Sequence, residues 1–129
     1  MSVAEWDGSL SIGIAKIDLH NQQLYSVLGN LYNGIDVKSN YETEQRLSEL
    51  LDSYTFHVAC EEIWMSRSKS NFTTNHHTDH TRIKEIIAEI IIRHKDNKAS
   101  VREMIINLIN SFIQHIKKYD VEYAYPIGD

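Results

Sequence analysis

The stretch His57-Val58-Ala59-Cys60-Glu61 decides how this chain is organised. His57 and Glu61 are four residues apart, so in a helix their side chains lie one above the other on the same face. An imidazole and a carboxylate placed in this way form half of a metal site for iron, manganese or zinc. An isolated pair at this spacing is more often a buried ion pair than a metal site, so its surroundings decide between the two.

Those surroundings form an apolar stripe. Apolar residues recur at spacings of three and four, which is typical of the buried face of an amphipathic helix. The stripe consists of Leu47, Leu50, Leu51, Tyr54, Val58, Trp64 and Met65. His57 and Glu61 lie on this face, and burying two ionisable groups without partners is costly. The rest of the chain is therefore expected to supply groups that pair with them.

Composition favours a single helical domain. The chain has 129 residues, with one proline and five glycines, which argues against a turn-rich all-β fold. Its net charge is -5 and it has no long basic cluster, so no nucleic-acid partner is expected. The single Cys60 excludes an internal disulfide. We expect a cytoplasmic protein without a membrane partner, because no signal-peptide pattern and no apolar run of the ~20 residues that span a bilayer occur.

Hydrophobic periodicity predicts four helices joined by short polar connections. The predicted segments are an extended arm at 1–17, helices at about 18–35, 41–66, 72–94 and 100–120, and a short tail at 121–129. Asp18 is the expected N-cap of the first helix. Residues 10–14 alternate and residues 86–92 are rich in isoleucine, so a strand is the competing interpretation of both. We predict an all-α, antiparallel up-down four-helix bundle as one domain, with the arm packed across it.

Every predicted helix carries at least one histidine on its apolar stripe. These histidines are His20, His57, His76, His80 and His115, and the carboxylates Glu61 and Asp120 join them. Asp120 follows His115 by five residues, a wider angle than one helical turn, but it can reach inward near a helix end. Two octahedral metals offer twelve coordination positions. Five terminal histidines, two bridging carboxylates and one solvent bridge fill all but one of them, which leaves room for a diatomic ligand. Histidine-rich ligands with carboxylate bridges favour iron.

These residues resemble the hemerythrin family, specifically its bacterial single-domain members, over nearly the whole chain. The matching positions are Trp6, Leu10, Gly13, Ile17, Asp18 and His20, then His57, Glu61, Glu62 and Met65, then His76 and His80, and finally His115, Ile116 and Asp120. The resemblance implies a pair of oxo- or hydroxo-bridged iron ions that binds dioxygen reversibly, for storage, delivery or scavenging. It implies no enzymatic activity.

The resemblance also implies a role for each ligand. His76, His80 and His115 would hold the saturated iron, His20 and His57 would hold the iron with the open position, and Glu61 and Asp120 would bridge the two. Phe112 and Ile116 would line an apolar oxygen pocket.

The chain departs from the family at positions that are not ligands. Phe112 stands where the family often has tryptophan, Val58 where it often has phenylalanine, and Leu19 where it often has glutamine. A smaller side chain at position 112 changes the size of the pocket. Two alternatives therefore stay open, which are an enzyme that acts on peroxide or nitric oxide, and a sensor in which the arm around Trp6 shifts. A redox or oxygen-consuming partner protein would serve the storage role or the sensor.

Overall fold

A computed structural model describes residues 8–35, 39–67, 74–96 and 98–120 of the protein. These residues form four long helices. The helices are α1 (Ala15–Gly34), α2 (Asn40–Arg67), α3 (Thr74–Asp96) and α4 (Lys98–His115). A short 3₁₀ turn at Gly8–Leu10 precedes α1, and a π-helical segment at Ile116–Asp120 continues α4. Each helix packs against the next, and α4 packs back against α1. The predicted all-α up-down bundle is therefore confirmed, and the described residues contain no strand.

The first helix begins earlier than predicted. It starts at Ala15, and its N-cap Ile14 makes no side-chain hydrogen bond. Asp18 lies inside the helix and accepts hydrogen bonds from Ser11 Oγ at 2.6 Å and from the backbone N–H of Ile12 at 2.8 Å. Its carboxylate thus ties down the segment that leads into α1, rather than capping the helix. The predicted contact of Trp6 with the bundle and the tail at 121–129 lie outside the described residues.

The isoleucine-rich part of α3 is helical, as its period of 3.6 residues predicts. Ile83, Ile87 and Ile90 lie on one face and are buried, whereas Ile92 is 57% exposed. Tertiary burial of one face outweighs the lower helix propensity of β-branched residues here. Their partners in the core come from the other three helices and include Leu24, Leu28, Leu31, Leu47, Leu50, Val101, Ile105, Leu108 and Phe112. None of the described helices is long and apolar enough to cross a membrane.

Replacing Ile90 by alanine tests whether this face carries the stability of the bundle. Ile90 has no exposed surface, so Ile90→Ala leaves a cavity and should lower the free energy of unfolding by about 3 kcal/mol. The matched control is Ile92→Ala on the exposed face of α3, which should change it by less than about 0.5 kcal/mol. Urea denaturation of the metal-free chain measures both values. Equal losses in the two variants would contradict the assignment of the buried face.

Candidate metal centre

Five of the seven predicted ligands form one tight, buried cluster. Ligand atoms of Glu61, His76, His80, His115 and Asp120 all lie within 4.8 Å of one another. The cluster draws on α2, α3, α4 and the π-helical segment. It contains the three histidines and two carboxylates that the resemblance to hemerythrins assigns to the saturated metal. His20 and His57 lie beside the cluster and are not members of it.

The two oxygens of Glu61 face different histidines. Its Oε1 lies 3.3 Å from the Nε2 atoms of both His76 and His80, and 3.9 Å from Nε2 of His115. Its Oε2 lies 2.8 Å from Nε2 of His57, at an angle that makes no hydrogen bond. A carboxylate with this arrangement connects the five-residue cluster to the His57 side, as a bridge between two metals would.

Two outer carboxylates fix the protonation of the histidine rings. Asp79 Oδ2 lies 2.8 Å from Nδ1 of His115, and Glu62 Oε2 lies 2.8 Å from Nδ1 of His80. Carboxylates only accept hydrogen bonds, so each Nδ1 carries the proton and donates it. In a neutral ring the Nε2 lone pair then points inward, towards the cluster. A carboxylate behind a histidine is the usual support of a metal-binding imidazole.

The inward-facing atoms fit a cation. Nε2 of His76 and Nε2 of His115 are 3.2 Å apart, and Asp120 Oδ1 lies 3.2–3.3 Å from both. With metal–nitrogen bonds of about 2.1 Å, neighbouring ligands of one ion are about 3.0 Å apart and opposite ligands about 4.2 Å apart. The lone pairs of neutral imidazoles and those of carboxylates repel each other when they face one another. One cation between them would interact favourably with all of these lone pairs. The donor set of nitrogen and oxygen suits iron, manganese or zinc.

The π-helical segment explains how His115 and Asp120, five residues apart, can both face the cluster. A π-helix closes hydrogen bonds between residues five apart, so a side chain and the fifth residue after it come to the same side. The segment Ile116–Asp120 thus brings Asp120 Oδ1 to 3.2 Å from His115 Nε2. The other oxygen, Oδ2, accepts a hydrogen bond of 3.1 Å from Nδ2 of the buried Asn21. Asn21 on α1 therefore orients this carboxylate.

His20 and His57 lie on the more open side of the cluster. Their ring centroids are 5.6 Å apart, and His20 also contacts Trp64 edge to face at 5.2 Å. His57 is buried, while His20 is half-buried. A cavity of about 220 Å³ between α1 and α2 is lined by both histidines, together with Gln23, Leu24, Val27, Ser53 and Phe56. Val27 is 37% exposed at this cavity.

The predicted oxygen-pocket residues lie elsewhere in the core. Phe112 and Ile116 are both buried in the main hydrophobic cluster, on α4 and at the start of the π-helical segment. Neither lines the cavity beside His20 and His57. The cavity at the centre therefore lies between α1 and α2, and α4 contributes no residue to its lining.

The carboxylates of the centre stay ionised. Burial alone would raise the pKa of Glu61, but contacts with the surrounding histidines, first among them His115, hold it well below its usual value. Burial also acts to raise the pKa of Asp79, yet hydrogen bonds from His115 and Arg82 lower it to about 2. Negative charge is therefore concentrated around the histidines at neutral pH.

The histidines respond to burial and to these charges in different ways. Burial acts to lower the pKa of His115, but contacts with the carboxylates, Asp120 first, raise it well above its usual value. The pKa of His76 is raised by the same balance. On the open side, burial and the nearby His57 lower the pKa of His20. Without a metal, His76 and His115 therefore retain protons that a bound cation would replace.

Sequence reasoning missed the outer residues of the centre. Asp79 and Asn21 act on ligands 36 and 99 residues away in the chain, so no local spacing reveals them. Glu62 matches the hemerythrin family in sequence, but its position on a helix does not by itself distinguish a supporting residue from a solvated one. It accepts hydrogen bonds from His80 and from the exposed His77, so its role is visible only once α2 and α3 pack together.

Removing Asp79 tests its role behind His115. We expect Asp79→Ala to weaken metal binding about 10- to 100-fold, because His115 loses the acceptor that fixes its tautomer and its ring orientation. Glu89→Ala is the matched control, since Glu89 is on the same helix and also accepts from an arginine at 2.8 Å, but is far from the cluster. Competition with a chelator of known affinity measures both. Equal metal affinity of the two variants would refute the role of Asp79.

The metal-free chain should lose stability as the pH rises above neutral. His115 and His76 have raised pKa values in the folded state, so their contribution is complete below the unfolded value of 6.5 and is lost as the pH passes through the folded value. The iron-loaded chain should not show this loss, because metal binds neutral imidazole. Urea midpoints at about pH 6.5 and about pH 9 compare the two forms. A midpoint that rises with pH in the metal-free chain would contradict these directions.

Comparison of the chain with models of known protein families, with curated proteins and with solved structures finds no match. The four-helix bundle and its buried histidine and carboxylate cluster are nevertheless consistent with a hemerythrin-like protein.

Proposed function

We propose that this chain is a non-haem di-iron protein that binds dioxygen reversibly. One observation carries the proposal: the two oxygens of Glu61 face separate sets of histidines, one in the buried cluster and one at His57. A single metal would not require a carboxylate that is shared in this way. Glu61 is itself fully buried, so both of its oxygens need a positive partner.

Each half of the centre would hold one iron ion. The five-residue cluster supplies three histidines to the first ion, with Glu61 and Asp120 as shared carboxylates. His20 and His57 would hold the second ion beside the cavity. When bound, the two iron ions would supply electrons for redox chemistry and one open coordination position for a small ligand.

The protein's contribution is to orient the ligands and to exclude water on one side. Asp79 and Glu62 hold the rings of His115 and His80, and Asn21 holds Asp120. Phe112 and Ile116 are buried and apolar and neither lines the cavity, so they would keep water from the α4 side of the centre.

Chemistry on peroxide or nitric oxide at the same iron pair is a second candidate, and the cavity favours it. Its volume of about 220 Å³ is larger than one water molecule requires, and polar Gln23 and Ser53 help to line it. Hydrogen peroxide, which is larger and more polar than dioxygen, and water can therefore approach His20 and His57. This function requires turnover above that of free iron, with loss of that turnover in His57→Ala.

Spectra of the reduced, iron-loaded protein separate the two functions. Taken without oxygen, then with oxygen, then after its removal, they should show a visible charge-transfer band that appears and disappears, with two irons per chain. His57→Ala should retain about one iron per chain and lose the band, because the buried cluster of the first ion stays complete.

Exposed His77 provides the matched control for that variant. His77→Ala removes a histidine that contacts Glu62 but lies outside the cluster, so the band and both irons should remain. A diferric spectrum that persists after oxygen is removed would contradict reversible binding. An iron content of one per chain or less in the unaltered protein would contradict the di-iron site itself.

A further inference from the structure

The hydroxyl of Tyr54 is buried beside the centre without a hydrogen-bond partner among the described residues. Tyr54 is 2% exposed and lies on α2, three residues before His57. The centroids of the two rings are 6.1 Å apart. The hydroxyl oxygen is inaccessible to solvent and makes no hydrogen bond to the described part of the protein. Buried hydroxyls nearly always have a partner, so an orphan of this kind needs an explanation.

The contact of its ring with His57 places Tyr54 beside the candidate metal centre. Burial raises the pKa of its hydroxyl well above its usual value, and the carboxylates of Glu61, Asp120 and Asp79 act in the same direction. These three carboxylates support or belong to the metal cluster. A tyrosine hydroxyl is protonated at neutral pH in any case, so it can act as a hydrogen-bond donor. It forms no hydrogen bond with any of the three carboxylates in the described structure.

Tyr54 differs from the polar residues that support the predicted ligands of the centre. Asn21, Asp79 and Glu62 each bond to a predicted metal ligand and thereby orient it. Tyr54 orients no ligand, although its side chain lies against His57. A buried, protonated hydroxyl that bonds to no protein atom is suited to donate a hydrogen bond to a bound, non-protein ligand.

We propose that the Tyr54 hydroxyl donates a hydrogen bond to the small non-protein ligand of the His57 half, and so selects ligands that carry negative charge. This inference rests on the proposed di-iron function. Hydrogen bonds to charged acceptors are stronger than those to neutral ones, so an anionic ligand gains more from the hydroxyl than a weakly accepting one. Tyr54 is thus a positioning and specificity residue, and not a metal ligand.

Azide and nitric oxide are the probes that test this selection. Azide is an anion that accepts hydrogen bonds, whereas nitric oxide accepts them poorly. We expect Tyr54→Phe to weaken azide binding to the oxidised, iron-loaded protein about tenfold, which corresponds to about 1.4 kcal/mol. Binding of nitric oxide to the reduced protein should change by less than about twofold. Titrations followed by absorbance give both affinities.

Tyr32→Phe is the matched control. Tyr32 is also buried, and lies at the other end of α1 from His20. The same chemical change there should leave both affinities unaltered. The urea midpoint of metal-free Tyr54→Phe should equal or exceed that of the unaltered chain, since the variant loses no hydrogen bond within the protein.

The outcomes are distinct. A tenfold loss for azide alone, with an unchanged iron content, supports the inference. Unchanged azide affinity in Tyr54→Phe, or equal losses for azide and nitric oxide, overturns it and leaves the proposed function standing. A lower urea midpoint of the metal-free variant also overturns it, because the hydroxyl would then have a structural partner. A chain that takes up no iron overturns the proposed function and this inference together.

Discussion

Two carboxylates that have no contact with solvent govern this structure. Glu61 and Asp120 are both 0% exposed in the centre of a helical bundle, where an unpaired charge is costly. The histidines at 3.2–3.3 Å can offset that charge only by staying protonated or by sharing a cation with the carboxylates. The raised pKa values of His76 and His115 show how the chain meets this constraint when no metal is bound. A metal meets it with neutral rings, and so links metal binding to folding.

The bundle is arranged around that constraint. The second and third helices and the end of the fourth each bring part of the cluster, and the first helix brings Asn21 and His20. The middle of the bundle is packed with leucine and isoleucine, which fixes the helices without contributing to the centre. The residues that stabilise the bundle and those that form the candidate metal centre therefore lie at different positions along the helix axes. Core side chains can then differ in detail while the distances between the predicted ligands stay the same.

The helices and the burial of most candidate ligands were predictable because they follow local periodicity. The stripe that contains His57 and Glu61, and the one that contains His76 and His80, repeat at helical spacing, so sequence alone places them on core faces. What could not be predicted depends on which helix faces which. The contacts of Asp79 with His115 and of Asn21 with Asp120 join distant parts of the chain. The π-helical segment was also invisible, since an ordinary helix and a π-helix present the same residues in sequence.

The two halves of the centre differ in a way that suits different tasks. The cluster half is enclosed, carries four carboxylates within or behind it, and has an outer acceptor behind two of its three rings. The His20 half has a lowered histidine pKa, a half-buried ring and an open cavity. An enclosed, strongly anionic site holds a cation firmly, whereas an open site beside a neutral His20 leaves space for a ligand that comes and goes. In the proposed di-iron protein, the enclosed ion would act mainly in stability and the open one in binding. Glu61, with one oxygen on each side, would then be the group through which the state of one half reaches the other.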